Sequence, residues 1–316
     1  MAELILHHYL SSPFSEKARL ILGYKNLAWK SVLAPRHNPK PDVVALTGGY
    51  RKTPVLQIGA DIYCDTALIA DVLEHIQPSP TIYPEPRKGI ARILAQWADT
   101  TLFWSAVKHD LGPQGAITKF GGVAPEVARA ILEDRKAMGI DLSGINPADS
   151  SAAYKSYLRR LSDMLHGQSY LLGGAPCIAD FSAYHALWLA QVRTQPGVDL
   201  LAQLPDLAAW VERMRAIGHG SVETITASQA ITTAAACEPA PAGHGLLRDS
   251  NFQDEHGIAL RSRVSVAADN FGLEPSEGEL IAATRTHYSL RRTDPRAGTV
   301  HVHFPRIGYV LRALAD

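Results

Sequence analysis

Residues 10–22 read LSSPFSEKARLIL, and the serine–proline pair near its head marks where a strand gives way to a helix. The residues before it, ELILHHYL from Glu3 to Leu10, suit a short buried strand. After Pro13, the residues Phe14, Ala18, Ile21 and Leu22 fall at i, i+4, i+7 and i+8, one face of a helix. Pro13 fits the first helical position, where its missing N–H costs nothing. Ser12 is therefore the N-cap. A hydroxyl there either caps and does no more, or also helps hold an anion beside the free N–H groups of the first turn.

Working outward, AWKSVLA (28–34) reads as a second strand and PKPDVVALTGG (39–49) as a short helix stopped by a glycine pair. TPVLQIG (53–59) and DIYCD (61–65) flank Gly59-Ala60 like a hairpin, and DTALIADVLEHI (65–76) is a helix capped by Asp65. The order β-α-β-α-β-β-α over residues 1–78 predicts a small mixed sheet with helices on its faces. HIQPSPTIYPEP (75–86) is a proline-rich linker. Residues 87–237 then read as a helical bundle, with helices over 89–111, 124–138, 151–167, 177–192, 205–217 and 221–236.

EPAPAGHG (238–245) is a second linker, and beyond it the texture changes. RSRVSVAADNFG, GELIAATRTHYSLRR and GTVHVHFPRIGYVLRAL alternate apolar and polar residues between turn residues. Residues 243–316 are expected to form a small antiparallel β domain, a barrel or compact sheet packed against the helical bundle. They hold nine Arg, no Lys and nine Asp+Glu.

The whole chain of 316 residues has room for two or three domains. Its 31 Lys+Arg balance 31 Asp+Glu, so no global field favours nucleic acid or an anionic membrane surface. No apolar run approaches the ~20 residues that span a bilayer. The N-terminus enters a strand directly, without the basic and apolar parts of a signal peptide. Cys64, Cys177 and Cys237 are far apart and odd in number, which argues against a disulfide framework or zinc cluster and for a reducing compartment. A soluble cytoplasmic protein with no metal is the expectation.

The order of elements, together with SSPFSEKARLIL (11–22), RKTPVLQIGADIYCDTALIADVLEHI (51–76) and GGAPCIADFSAYHALW (173–188), resembles the soluble glutathione transferase superfamily. The resemblance covers residues 1 to about 235 and has no counterpart beyond them. The SPF triplet is most similar to the tau-class and omega-like branches. The resemblance implies a thioredoxin-like N-terminal domain (1–78), an all-helical domain (87–237), glutathione as co-substrate and a homodimer.

It also implies roles for particular residues. Ser12 would be catalytic, its hydroxyl donating to the glutathione thiolate, with Ser11 as its rival because spacing alone does not separate them. Thr53, before a cis Pro54, would pair its backbone with the cysteinyl part of glutathione. Lys52 would face the glycine carboxylate, or else be a solvated surface lysine, while Asp65 and Thr66 would take the γ-glutamyl end. Phe14 joins the glutathione-binding set, and Tyr9, Phe14, Trp104 and Lys108 either line a pocket for an apolar electrophile or are ordinary buried side chains.

The physical demand is modest. A free thiol has a pKa of about 8.5. Lowering it by ~2 units needs ~2.7 kcal/mol. One charge-assisted hydrogen bond supplies ~1.5–3 kcal/mol, and a helix dipole adds up to ~1 kcal/mol.

Cys177-Ile-Ala-Asp180 stands where the family has a capping box, with a thiol that caps poorly. His301 and His303 point the same way on one strand and are read as solvent-facing. Three functions stay open: conjugation to an electrophile, other glutathione chemistry such as dehalogenation, peroxide reduction or ether cleavage, and a ligand-binding adaptor.

Overall fold

The expected strand–helix alternation is present in the computed structural model, which describes residues 3–110, 124–140, 146–191, 200–241, 246–247, 249, 252 and 255–315. Leu111 and Val192, which end two expected helices, and residues 242–245 of the second linker lie outside these. The first region runs β1 (Ile5–His8), α1 (Pro13–Tyr24), β2 (Trp29–Leu33), α2 (Pro41–Thr47), β3 (Val55–Ile58), β4 (Asp61–Cys64) and α3 (Thr66–Ile76). Helix α2 stops at Gly48, whose φ of 86° lies in the left-handed region that glycine adopts without a Cβ clash.

The helical region follows as α4 (Lys88–Trp97), a π-helical turn (Ala98–Leu102), α5 (Phe103–Asp110), α6 (Pro125–Ala137), α7 (Pro147–Leu165), α8 (Ile178–Gln191) and α9 (Pro205–Ala216). The expected continuous helix over 89–111 is thus broken by the π turn. Helix α8 starts as the sequence suggests. Asp180 accepts from the Cys177 N–H at 2.9 Å, and its other oxygen takes the Leu171 N–H and Trp210 Nε1, both at 2.9 Å.

The expected helix over 221–236 is corrected. Val222–Thr224 forms β5, parallel to β2, before a shorter α10 (Ala227–Ala235) begins. The Thr226–Gln229 capping box fixes that later start.

The C-terminal strands are β6 (Arg263–Ala268), β7 (Ser276–Ala283), β8 (His287–Asp294), β9 (Gly298–Pro305) and β10 (Tyr309–Ala313). They are antiparallel to one another, as expected. They do not form a separate barrel docked on the bundle. Strand β9 pairs in parallel with β4, Ile62 opposite Val302, making one ten-stranded sheet in the order β10-β6-β7-β8-β9-β4-β3-β1-β2-β5. The edge of β4, an open row of N–H and C=O groups in a shorter chain, is thereby paired.

Two cores result. One face of the β1–β3–β4 region packs α1 and α3 against α8 and α9, through Leu20, Leu68, Phe181 and Trp210. The second core joins Leu46 of α2 and Ile231 of α10 to Ile62, Leu290, Val302 and Phe304. Val300, Val302 and Phe304 enter that core, and His301 and His303 take the opposite face. Contrary to expectation, the two histidines are buried, because Asp61 lies beside them across the β4–β9 joint.

Candidate functional site

Ser12 caps α1 with an extended backbone, and its Oγ accepts from the Ser15 N–H at 3.1 Å. A hydroxyl has one proton and two acceptor sites, so the cap leaves its O–H able to donate. The side chain is buried in the protein but lines a cleft of about 210 Å³. Ser11 is not among the residues that line it.

The cleft gathers every residue expected to hold glutathione. Phe14, Lys52, Thr53, Pro54, Asp65 and Thr66 all line it, and the Thr53–Pro54 peptide is cis. Tyr9 and Trp104 join them, whereas the exposed Lys108 does not. Asp65 has φ 76°, an unusual left-handed value for an aspartate. It caps α3 by accepting from the Ala67 N–H at 2.9 Å and accepts at its other oxygen from the Tyr309 hydroxyl at 3.1 Å.

Sequence reasoning missed the residues that other elements bring in. Lys40 is buried at the head of α2, with Nζ donating to the Arg51 carbonyl at 3.1 Å and lying 5.7 Å from the Tyr9 ring centre. Burial, helped by Arg135 and Arg51, brings its pKa down to about 8. Arg51 is clamped by Asp134 of α6 at 2.6 Å and Glu274 of the β6–β7 loop at 2.5 Å. Arg135 donates to the Tyr9 hydroxyl at 3.3 Å. The cleft lining therefore carries Lys40, Arg51, Lys52 and Arg135, a set of cations suited to a carboxylate.

Below the cleft floor, Lys17 Nζ donates to Thr66 Oγ1 at 3.2 Å and to Asp99 at 2.6 Å. Asp99 sits in the π turn and also meets His185 Nε2 at 2.9 Å. Burial alone would raise the Asp99 pKa, but Lys17 and His185 outweigh it and hold the carboxyl below its ordinary range. Turns of this kind recur at functional sites, and this one delivers Asp99 to the cleft wall.

The β6–β7 loop adds further lining through Asn270 and Phe271. Phe271 lies edge-on to Trp104 with ring centres 5.3 Å apart. The Lys52 ammonium is 4.5 Å from the Phe271 ring centre and within 6 Å of the Tyr50 and Tyr309 rings. Burial lowers the Lys52 pKa, against the pull of Asp65 and Asp269. Phe14, 4.7 Å from Phe103 and 4.5 Å from His185, gives the cleft an apolar wall. Among the described residues, no group of three or more His, Cys, Asp or Glu is placed to hold a metal ion, and no helix is long and apolar enough to cross a membrane.

A thioredoxin-like sheet with a helical second domain, and a capping serine that lines a cleft together with cations, defines the class. The chain belongs to the glutathione S-transferase family. The family's N-terminal domain matches residues 6–81 and its C-terminal domain residues 148–213. A GST-like protein from Pseudomonas syringae shares 41% identity at TM-score 0.82, with 99% of this chain and 100% of that one covered. The β extension therefore belongs to that protein as well.

Two more distant structures show the fold alone. Glutathione transferase GSTFuA3 from Phanerochaete chrysosporium has 18% identity and TM-score 0.55, covering 69% of this chain and 98% of its own. A glutathione S-transferase from Methylobacillus flagellatus with GSH bound has 19% identity and TM-score 0.51, covering 68% and 99%. A comparison with curated proteins gave no match.

Proposed function

We propose that this chain binds glutathione in the cleft and uses Ser12 to activate its thiol for attack on an apolar electrophile. The observation that carries the reading is the Ser12 hydroxyl, fixed as the α1 cap with its proton still able to donate. The donor set fits the ligand. Glutathione carries two carboxylates, an amino group and a thiol. Lys40, Lys52 and Arg135 suit the glycine carboxylate, Asp65 and Thr66 the γ-glutamyl end, and the backbone of Thr53 the cysteinyl peptide. No general base is required of the protein, because the serine only donates to a thiolate.

The electrophile would lie against Phe14, Phe103, Trp104 and Phe271. The same reading divides the chain into a glutathione-binding region (1–78), a helical region (87–237) and a β-rich region (243–316). It also takes the protein to be cytoplasmic, to serve detoxification and to form a homodimer. The exposed Ile90 and Ile93 on α4 are apolar surface that a second copy would cover.

Ser12→Ala tests the reading. Conjugation to a chloronitroaromatic acceptor should fall roughly ten- to a hundred-fold in kcat/KM, the loss of one charge-assisted hydrogen bond. Glutathione affinity should change little. Tight binding without turnover in the parent protein would instead favour an adaptor, and turnover only with peroxide or aryl ethers would move the chemistry within the family.

A further inference from the structure

A second cavity, of about 230 Å³, opens on the other side of the β4–β9 joint and shares no lining residue with the cleft. Strand register places Ser289 directly opposite His303 in the β8–β9 pair and His301 opposite Asp61 in the β4–β9 pair. Ser289, His303 and Asp61 thus share one face of the sheet, while Leu290, Val302 and Ile62 take the other.

The three side chains form a continuous relay. Ser289 Oγ lies 2.7 Å from His303 Nδ1, and His303 Nε2 lies 3.0 Å from Asp61 Oδ1. A carboxylate only accepts, so Nε2 carries the ring hydrogen. Nδ1 then presents a lone pair, and the Ser289 hydroxyl donates to it. The Tyr63 ring stacks on His303 at 4.7 Å and 17°, which fixes the imidazole plane. The second Asp61 oxygen accepts from the Ala240 N–H at 2.9 Å, so the carboxylate does not turn away.

Two further features distinguish this cluster from a buried polar contact with no outlet. All three residues line the cavity, whose remaining wall includes the apolar Leu260, Ile281 and Ala283. The β7 register also slips between Leu280 and Ala282, directly beside the Ala282–Ser289 pair. Bulges of this kind commonly re-aim a side chain beside a site.

We propose that Ser289, His303 and Asp61 form a second active centre, an acyl-transfer site for a small apolar ester. Ser289 Oγ bonds to the ester's acyl carbon while its proton passes to His303 Nδ1. The acyl–oxygen bond breaks, and the leaving alkoxide takes that proton and departs as an alcohol. Water then attacks the acyl-serine, giving a proton to Nδ1 as its oxygen bonds to the acyl carbon. The bond between the acyl carbon and Ser289 Oγ then breaks, Oγ takes the proton back from Nδ1, and the carboxylic acid is released. Asp61 holds the imidazole tautomer and stabilises the imidazolium between the transfers.

The test uses the full chain without glutathione, so its outcome does not depend on the cleft. Hydrolysis of p-nitrophenyl acetate is followed, and a fluorophosphonate probe is mapped by peptide mass spectrometry. The probe should label Ser289. Ser289→Ala should lose the label and fall to the buffer rate at an unchanged melting temperature. His303→Gln should slow hydrolysis by about a hundred-fold or more, the usual contribution of a general base. A wild-type chain that is unlabelled and no faster than buffer overturns the proposal. So does a Ser289→Ala chain that hydrolyses like the parent, since the activity would then belong to surface nucleophiles.

Discussion

Lys40 ties ligand binding to pH. Its pKa of about 8 reflects burial first and the nearby Arg135 second, with Asp134 opposing them. As pH rises through that value the free protein loses a cation from the cleft lining. Glutathione affinity measured by calorimetry should therefore weaken several-fold between about pH 7 and 9, and Lys40→Met should flatten that dependence. The stability effect has the opposite sign. An unfolded lysine keeps its proton to about 10.4, so between the two values the unfolded chain binds more protons and rising pH favours the folded state. Asp65→Ala should weaken glutathione binding more than it slows the bound reaction, since it removes a polar anchor and a helix cap worth ~1 kcal/mol. Calorimetry showing affinity within about twofold of the parent would remove Asp65 from the binding set. Ser12, Pro54 and Asp65 were readable because a cap and a strand-entry proline announce themselves within a few residues. Lys40, Asp99, Arg135 and Phe271 were not. Each reaches the cleft only through tertiary packing, and no local pattern marks it.

Among the elements, α1, α3 and α8 carried clear signals in caps and apolar spacing. The elements that escaped notice are short or irregular. Three residues of β5 give no period to read, and the Ile231 and Ala234 pattern of α10 drew the expected helix back over them. The π turn keeps helical dihedrals on both sides, so only the added residue in the turn betrays it. Helix α8 depends on Asp180, whose carboxylate accepts from two backbone N–H groups, the Trp210 indole and the Cys177 thiol. Asp180→Ala leaves those buried donors without an acceptor and should cost about 3 kcal/mol or more. Thermal unfolding would show this as a fall of several degrees in Tm, while the remaining folded protein should still bind glutathione, because Asp180 does not line the cleft.

Across the whole molecule, the β4–β9 joint decides the architecture. The alternation of Val300, His301, Val302 and His303 identified a strand with one apolar face. It gave no partner, because a strand's period says which face is buried and not which distant edge it pairs with. Once joined, the C-terminal strands share a core with α2 and α10, their β6–β7 loop supplies Phe271 to the cleft, and Tyr309 of β10 braces the cleft residue Asp65. A chain ending at Ala240 would expose the β4 edge and lose that wall. It should aggregate or melt several degrees lower and bind glutathione poorly. A truncated chain that stays soluble, melts like the parent and turns over would make the β region an independent module. The central claim, that the Ser12 hydroxyl holds the glutathione thiolate, is tested most directly by titrating bound glutathione through its thiolate absorbance. The parent and Ser11→Ala proteins should show the bound thiol's pKa lowered by ~2 units from about 8.5, and Ser12→Ala should return it towards the free value. An unchanged value in Ser12→Ala, with a raised one in Ser11→Ala, would contradict the claim and move the donor one residue back.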